Sequence, residues 1–293
     1  MVWCFDFSSP DGAGSLRGSE SPSAGSSQSD AGGFKPFAVF AEQLLSMSLA
    51  LTPESSLEDL VDFLDMCSCL RSLDLTAIDF DGDLAVRFFV NVYHCLLQHA
   101  LLLLGPPSKN SVSHFLRCVC YEIGGDIFSL VELEHCVIRG KLSQPHSGRN
   151  LSVEPTKSSE TFKRYALGNV DARINFILHN GLTSCHSEVP ILKATIPLSR
   201  QMNDFSTAYV QNSIQVDGKR KTVTLPEVCK VYRDDFGDDS VGVLKYLLRF
   251  LEKGSWEAVS WLLAEQQQIK VRFHPAGEFL PSLNSREGGT EGA

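Results

Sequence analysis

The sequence predicts a helix-rich α+β protein, a single globular domain with a small sheet. Three observations lead there. Apolar residues recur at helical spacing over long stretches, strand-like alternation is short and scarce, and no internal repeat divides the chain. The composition agrees. Of 293 residues, 43% are hydrophobic and 21% charged, which excludes a wholly disordered chain, a collagen-like repeat and a disulfide-stapled miniprotein.

From Ser8 to Gly33 the chain is mostly Ser and Gly. Such a stretch cannot bury enough apolar surface to offset the entropy of ordering it, so residues 1–33 read as a flexible tail. Residues 34–82 read as a helical extension packed on the main domain. Phe37, Phe40, Ala41, Leu44 and Leu45 recur at i, i+3, i+4, i+7 and i+8, the mark of an amphipathic helix. A second helix starts either at Thr52, with Pro53 in its first turn, or at Ser55/Ser56, with acids there instead. It carries Leu60, Val61, Phe63, Leu64 and Cys67. Asp79–Asp83 has the look of a calcium loop, but its glycine falls at the fourth place and Val90 stands where the closing Glu belongs. The motif fails.

The main domain spans residues 83–280. Its longest helix runs from Asp83 to Leu104 and stops at Gly105-Pro106-Pro107. Further helices are expected over Val112–Cys120, Leu130–Arg139, Leu198–Asn212, Gly242–Lys253 and Ser255–Gln267. Strand signals are Asn175–Leu178, a short apolar run leading into the turn His179-Asn180-Gly181, and the edge-like alternation of Ile269–Phe273. Ile214–Val216 and Lys221–Val223 flank Asp217-Gly218 as a hairpin. Residues 281–293 read as a second flexible tail.

Charge and cysteine usage narrow the class. Lys and Arg number 26 against 35 Asp and Glu, a net −9, which argues against binding a phosphate backbone. The N-terminus carries Asp6 where a secretory signal would carry basic charge, and no apolar run follows it. Nine cysteines, an odd number and several within helical apolar patterns, fit a reduced, cytoplasmic chain. Phe88–Leu104 tempts a membrane assignment. However, it is shorter than the roughly 20 residues a span requires and holds Asn91, His94, Gln98 and His99, so no membrane insertion is expected.

Several constellations could carry chemistry. Arg87, Asn91, His94 and Gln98 stand at i, i+4, i+7 and i+11, one polar stripe on an apolar helix. Such a stripe either lines a cleft or joins an internal hydrogen-bond network. Cys67/Cys69 and Cys118/Cys120 are C-x-C pairs without zinc spacing, so no metal is expected. Ser184-Cys185-His186 follows a glycine turn, and a nucleophilic cysteine there needs a histidine within reach and a third group to orient it. His179, His186 and His94 are available as bases, with Asn91, Glu134 or Asp171 as orienters. Nucleotide-binding loops, a zinc-protease helix and a serine-hydrolase elbow are missing from the sequence, and no cofactor is expected.

Four blocks together resemble the DUF547 family. They are Phe88–His94 with Ala100-Leu101; Tyr121–Gly125 followed by Ser129-Leu130, Leu133-Glu134-His135 and Ile138-Arg139-Gly140; Asp171–Phe176 leading to Gly181 and Ser184-Cys185; and Leu225-Pro226 through Tyr232 to Asp235-Phe236-Gly237. The resemblance covers about residues 84–251 and implies a fold similar to papain or transglutaminase types. Asn91, Glu134, Arg139, Arg173 and Cys185 match the family's pattern. Asn175, His179-Asn180, His94 and His186 depart from it, and Asn175 stands where the family has a histidine. An amide cannot act as a general base. The acidic charge balance, the flexible N-terminal tail and the altered histidine position together point to an intracellular protein-interaction or scaffold module with a protein partner. The alternative is a cysteine hydrolase or acyl transferase with Cys185 as nucleophile and His179 or His186 as base.

Overall fold

The computed structural model describes residues 3–4, 35–52, 54–146, 162–264, 269–275 and 277–284. The tail expected over residues 1–33 thus lies outside the described residues apart from 3–4, as do residues 285–293.

The long helix α3 (Asp83–Leu104) is the axis of the molecule, and its bounds are those the sequence predicts. Gly82 is its N-cap and Gly105, with φ of +72°, ends it. Every residue from Ala85 to Leu101 is buried. By length and composition α3 is also long and apolar enough to cross a membrane, but 89% of its most apolar stretch is enclosed by the rest of the protein.

Helix α1 (Lys35–Ala50) lies along α3 and buries Ala38, Ala41, Leu44, Leu45 and Ser48. Helix α2 (Leu57–Ser68) begins at the second of the two starts read from the sequence. The Ser56 hydroxyl accepts from the Asp59 amide and the Asp59 carboxylate accepts from the Ser56 amide, a reciprocal cap. Phe63 and Cys67 go into the core, while Leu57 remains 76% exposed.

The expectation of a helix to Cys120 is corrected. Helix α4 (Val112–Cys118) stops two residues earlier and the chain turns into a hairpin. Strands β2 (Val119–Ile123) and β3 (Asp126–Ser129) pair antiparallel, Ile123 opposite Asp126 and Cys120 opposite Ser129. Strand β1 (Trp3–Cys4) joins the other edge of β2. The turn is Gly124-Gly125, with φ of +59° and +86°. Two consecutive positive φ values give the turn whose twist suits paired strands, so this glycine pair was the signal for a hairpin. The helix expected over Leu130–Arg139 is present, but over Glu132–Ile138 it is wound wide, with the Arg139 amide donating to the Glu134 carbonyl five residues back.

Asn175–Leu178, read as a strand, is instead one turn of helix, α5 (Ile174–Ile177). Short apolar runs do not distinguish the two by pattern. Here the Asp171 side chain accepts from the Arg173 amide and its carbonyl accepts from the Ile174 amide, which starts the helical turn. Helix α6 (Leu198–Ser213) follows.

The second sheet contains the predicted hairpin, β4 (Gln215–Asp217) against β5 (Thr222–Leu225), closed by residues 218–221 with Lys221 at φ +51°. Strand β6 (Lys270–Phe273) lies parallel to β5 at the edge, as its alternation predicts. Between β5 and β6 come α7 (Val228–Val231), α8 (Arg233–Phe236), α9 (Ser240–Leu247) and α10 (Lys253–Ala264). The helix expected over Gly242–Lys253 is therefore split. α9 tightens into a 3₁₀ turn at Leu248–Phe250, and α10 begins at Lys253.

The apolar interior falls into two clusters. One surrounds α3 and includes Ile174 and Ile177; the other joins the second sheet to α8, α9 and α10 and includes Phe176. Helix α5 is the seam between them.

The polar stripe on α3 is satisfied by loop backbone. Asn91 donates to the Leu192 carbonyl at 2.9 Å and accepts from the Leu192 amide at 3.0 Å. Arg87 donates to the carbonyls of Lys193 and Ile196. His94 Nε2 accepts from the His179 amide at 2.9 Å, and Gln98 Oε1 accepts from the Leu283 amide at 2.7 Å. The last of these docks residues 281–284, grouped with the C-terminal tail from the sequence, against the protein; Leu283 is only 2% exposed.

Replacing Asn91 by Leu would leave a buried amide and a buried carbonyl without partners, at roughly 1–3 kcal/mol each. Asn91→Leu should therefore lower the unfolding free energy by about 2–4 kcal/mol in urea titration, and a loss within 0.5 kcal/mol of zero would contradict that role. In the hairpin, a Cβ on Gly124 would lie 2.5 Å from Leu75 Cγ and 2.8 Å from the Leu73 carbonyl, whereas Gly125 has open space. Gly125→Ala should cost about 1–2 kcal/mol from backbone alone and Gly124→Ala clearly more, as read from paired melting curves.

Candidate functional site

The loop after α5 carries the residues the sequence singled out. The Cys185 thiol donates to Asn180 Oδ1 at 2.9 Å, and its amide is tied to the Leu182 carbonyl. Burial pushes this thiol up to about 11, aided by the charge of Glu134. At neutral pH it is a thiol.

His179 lies close by in sequence but is committed elsewhere. Its Nδ1 accepts from the Gly181 amide at 3.0 Å, so Nε2 carries the proton, which goes to the His186 carbonyl at 3.1 Å. Neither ring nitrogen is left to take a proton from Cys185. Burial lowers this imidazole to about 4, opposed in part by the His186 carbonyl. His186 packs its ring on Tyr209, centroids 4.9 Å apart, and its Nε2 has no hydrogen-bond partner. Burial lowers it too, to about 4. His94 is fully buried beneath the loop and lowered to about 3, first by burial and then by its histidine neighbours. The three histidines are thus neutral, with His94 and His186 each joined to His179 through a backbone group.

Glu134, at the wide helical turn, lines the same cleft as Cys185. Its two carboxylate oxygens accept from Tyr232 at 2.7 Å and Tyr93 at 3.3 Å. Behind it Arg139 is buried with Asp235, their side chains 1% and 2% exposed and 3.0 Å apart. Arg139 also donates to Asn175 Oδ1 and to the Ser143 carbonyl, and its guanidinium lies 3.5 Å from the centre of the Tyr232 ring. Asn175 in turn donates to Asp235 at 2.8 Å. Asn175 is therefore a bridge inside an ion pair. Cys185, His186, Glu134 and Asn175 line one cleft. Arg173 does not: it grips Asp171 and reaches Asn203 on α6 at 2.7 Å, fastening α5 to α6.

This geometry supplies context for the comparison with known families. Residues 80–210 match the family model DUF547, a protein of unknown function. The matched DUF547 segment contains α3, the hairpin, the wide helical turn and the Cys185 loop, and stops within α6. Asp235 and Tyr232, which complete the Arg139 and Glu134 contacts, lie beyond it. No curated protein and no solved structure matches the chain.

Sequence reasoning found Glu134, Arg139 and Cys185 but missed Tyr93, Asn180, Tyr232 and Asp235 as their partners. Tyr232 and Asp235 lay in a recognised block, yet nothing in spacing says which distant side chain a residue meets. It also missed a second thiol cluster. The Tyr121 hydroxyl is 3.4 Å from Cys67 Sγ, 3.6 Å from Cys95 Sγ and 2.8 Å from His99 Nδ1. Hydrogen bonding to Cys95, His99 and Tyr121 holds Cys67 below an ordinary thiol despite burial, the reverse of Cys185. Among the described residues no three His, Cys, Asp or Glu side chains are placed to hold a metal ion.

These three histidines set a pH dependence. His94, His179 and His186 are held well below the ordinary value of 6.5 in the folded state. Below pH 6.5 the unfolded chain takes up protons that the folded chain refuses. Their contribution is complete above pH 6.5 and lost as pH falls toward 4, at up to about 1.4 kcal/mol per pH unit for each histidine. Urea midpoints should fall steeply between pH 6.5 and 4.5; a flat profile there would contradict these placements.

Proposed function

We propose that the protein is an intracellular, non-catalytic interaction module built on a DUF547 segment. One observation carries this reading: the Cys185 thiol is bonded to Asn180 while both His179 ring nitrogens are bonded to other groups, so Cys185 and His179 are not joined as nucleophile and base. The charge of Glu134 acts against thiolate formation. The surface adds support. Trp256 and Trp261 on α10 are 47% and 49% exposed, and tryptophan is the side chain most enriched at protein-binding hot spots. Cys67, Cys69, Cys95, Cys185 and Cys229 are free thiols, in keeping with a reducing compartment.

A cysteine hydrolase or acyl transferase is the second reading, favoured by His186, whose unpartnered Nε2 belongs to a residue lining the same cleft as Cys185. Alkylation of the native protein with limiting iodoacetamide from pH 5 to 9, resolved by peptide mass spectrometry, separates the two. The interaction reading expects Cys185 to react slowly, its rate still rising above pH 8.5, and Cys185→Ala to keep its binding behaviour. A rate that levels off below pH 7 would hand the protein to the hydrolase reading.

A further inference from the structure

The thiol cluster beside α2 has no part in the interaction reading. Three side chains converge on the Tyr121 hydroxyl of β2: Cys67 of α2, and Cys95 and His99, one turn apart on α3. Cys67 is 3% exposed, and Cys95, His99 and Tyr121 are at 1% or less. His99 Nε2 has no hydrogen-bond partner among the described residues. An ordinary core cysteine packs as a small hydrophobe and needs no polar company. Here two thiols share one oxygen, and that oxygen is bonded at 2.8 Å to an imidazole whose other nitrogen is unused. Cys69, two residues along, is exposed, and its thiol turns back to the Asp65 carbonyl at 3.5 Å.

We infer that Cys67 and Cys95 are an oxidation site, at which a hydroperoxide converts the two thiols into a disulfide joining α2 to α3. With its proton on Nε2, His99 accepts from the Tyr121 hydroxyl, and Tyr121 accepts from the thiols. The phenol therefore takes the Cys67 proton while handing its own to His99 Nδ1. The Cys67 thiolate attacks one peroxide oxygen. An S–O bond forms, the O–O bond breaks, and the departing oxygen leaves with the proton that Cys67 released. The Cys95 sulfur then attacks Cys67, forming S–S and breaking S–O, and the hydroxide leaves as water with the Cys95 proton. The thiols lose two electrons and the peroxide gains them. The environments of the two sulfurs assign these roles. Hydrogen bonding, to Cys95 first, favours the Cys67 thiolate against its burial. Burial keeps Cys95 a thiol, placed 3.9 Å from the Leu44 carbonyl. Access lies with α2, which fully buries only Phe63 and Cys67, Phe63 resting edge-on against His99. A helix held by so few buried side chains opens locally at small cost, and hydrogen peroxide is little larger than water. The family match begins at residue 80, so the disulfide would tie a helix outside the matched segment to one inside it.

The test treats the native full chain with hydrogen peroxide, blocks the remaining thiols and maps the peptides by mass spectrometry, with fragmentation separating Cys67 from Cys69. The product expected is a Cys67–Cys95 disulfide that dithiothreitol removes. Cys69→Ser should give the same product. Cys95→Ala should strand Cys67 as a sulfenic acid that dimedone labels, and in Cys67→Ser dimedone should leave Cys95 unlabelled. Tyr121→Phe removes only the shared hydroxyl and should slow disulfide formation about tenfold with an unchanged circular dichroism spectrum. If that variant unfolds, the full chain and Cys95→Ala carry the test. Exposure alone would direct oxidation to Cys69. A product confined to Cys69, a Cys67–Cys69 pair, a mixture of pairings such as unfolding gives, or no disulfide at all would each overturn the inference. None of these outcomes involves Cys185, so the interaction reading stands or falls separately.

Discussion

A guanidinium cannot be buried alone. Arg139 sits at the end of the wide helical turn with its side chain 1% exposed, and everything around it is arranged to make that tolerable. Asp235 supplies the opposite charge, Asn175 and the Ser143 carbonyl take further donors, and Tyr232 covers the plane. These partners come from α5, α8 and the segment after the helical turn, so one cation joins parts of the chain nearly a hundred residues apart. Removing a partner from a buried pair is far more damaging than replacing the whole pair by apolar groups, by several kcal/mol. A buried pair of this kind is thus costly to break and adds little net stability when intact. It also sets the cleft, because Tyr232 is held by Arg139 on its face and by Glu134 at its hydroxyl.

The second organising element is α3. A helix buried on all sides with a polar stripe would be unstable unless the stripe found partners. It finds them in backbone groups of residues 179, 192, 193, 196 and 283, none of which belongs to regular structure. The stripe thus does for the loops what a neighbouring strand does for a sheet edge. The Cys185 loop inherits its shape from this support, through the His179 amide on His94.

Much of this was legible in the sequence. The bounds of α3, the Ser55/Ser56 start of α2 as one of two offered, and the β4–β5 hairpin follow from periodicity, capping residues and turn residues, which act over a few positions. The polar stripe was also visible, though whether it faced a cleft or loop backbone was not. What escaped was of two kinds. The Gly124-Gly125 hairpin had its signal in the glycine pair, while the apolar run at Ile174–Ile177 fits either period, so there the choice fell to tertiary context. The partners of Glu134, Arg139 and Cys185 are contacts across the fold, and a single sequence does not encode which distant tyrosine or aspartate arrives. The Cys–His adjacency at 185–186 suggested a reactive pair. In three dimensions the thiol turns to Asn180 and the imidazole to Tyr209.

Helix α5 is only four residues long, yet Ile174 and Ile177 belong to one apolar cluster and Phe176 to the other. So short a helix has no independent existence in water; each cluster holds it in place for the other. The consequence is cooperativity. Loosening the C-terminal cluster withdraws Phe176 and Asp235 together, unwinds the turn and exposes the other cluster at Ile174 and Ile177. The two halves of the interior should therefore behave as a single unfolding unit in hydrogen exchange, with no sub-global opening that releases α8–α10 and leaves α3 protected at a separate free energy.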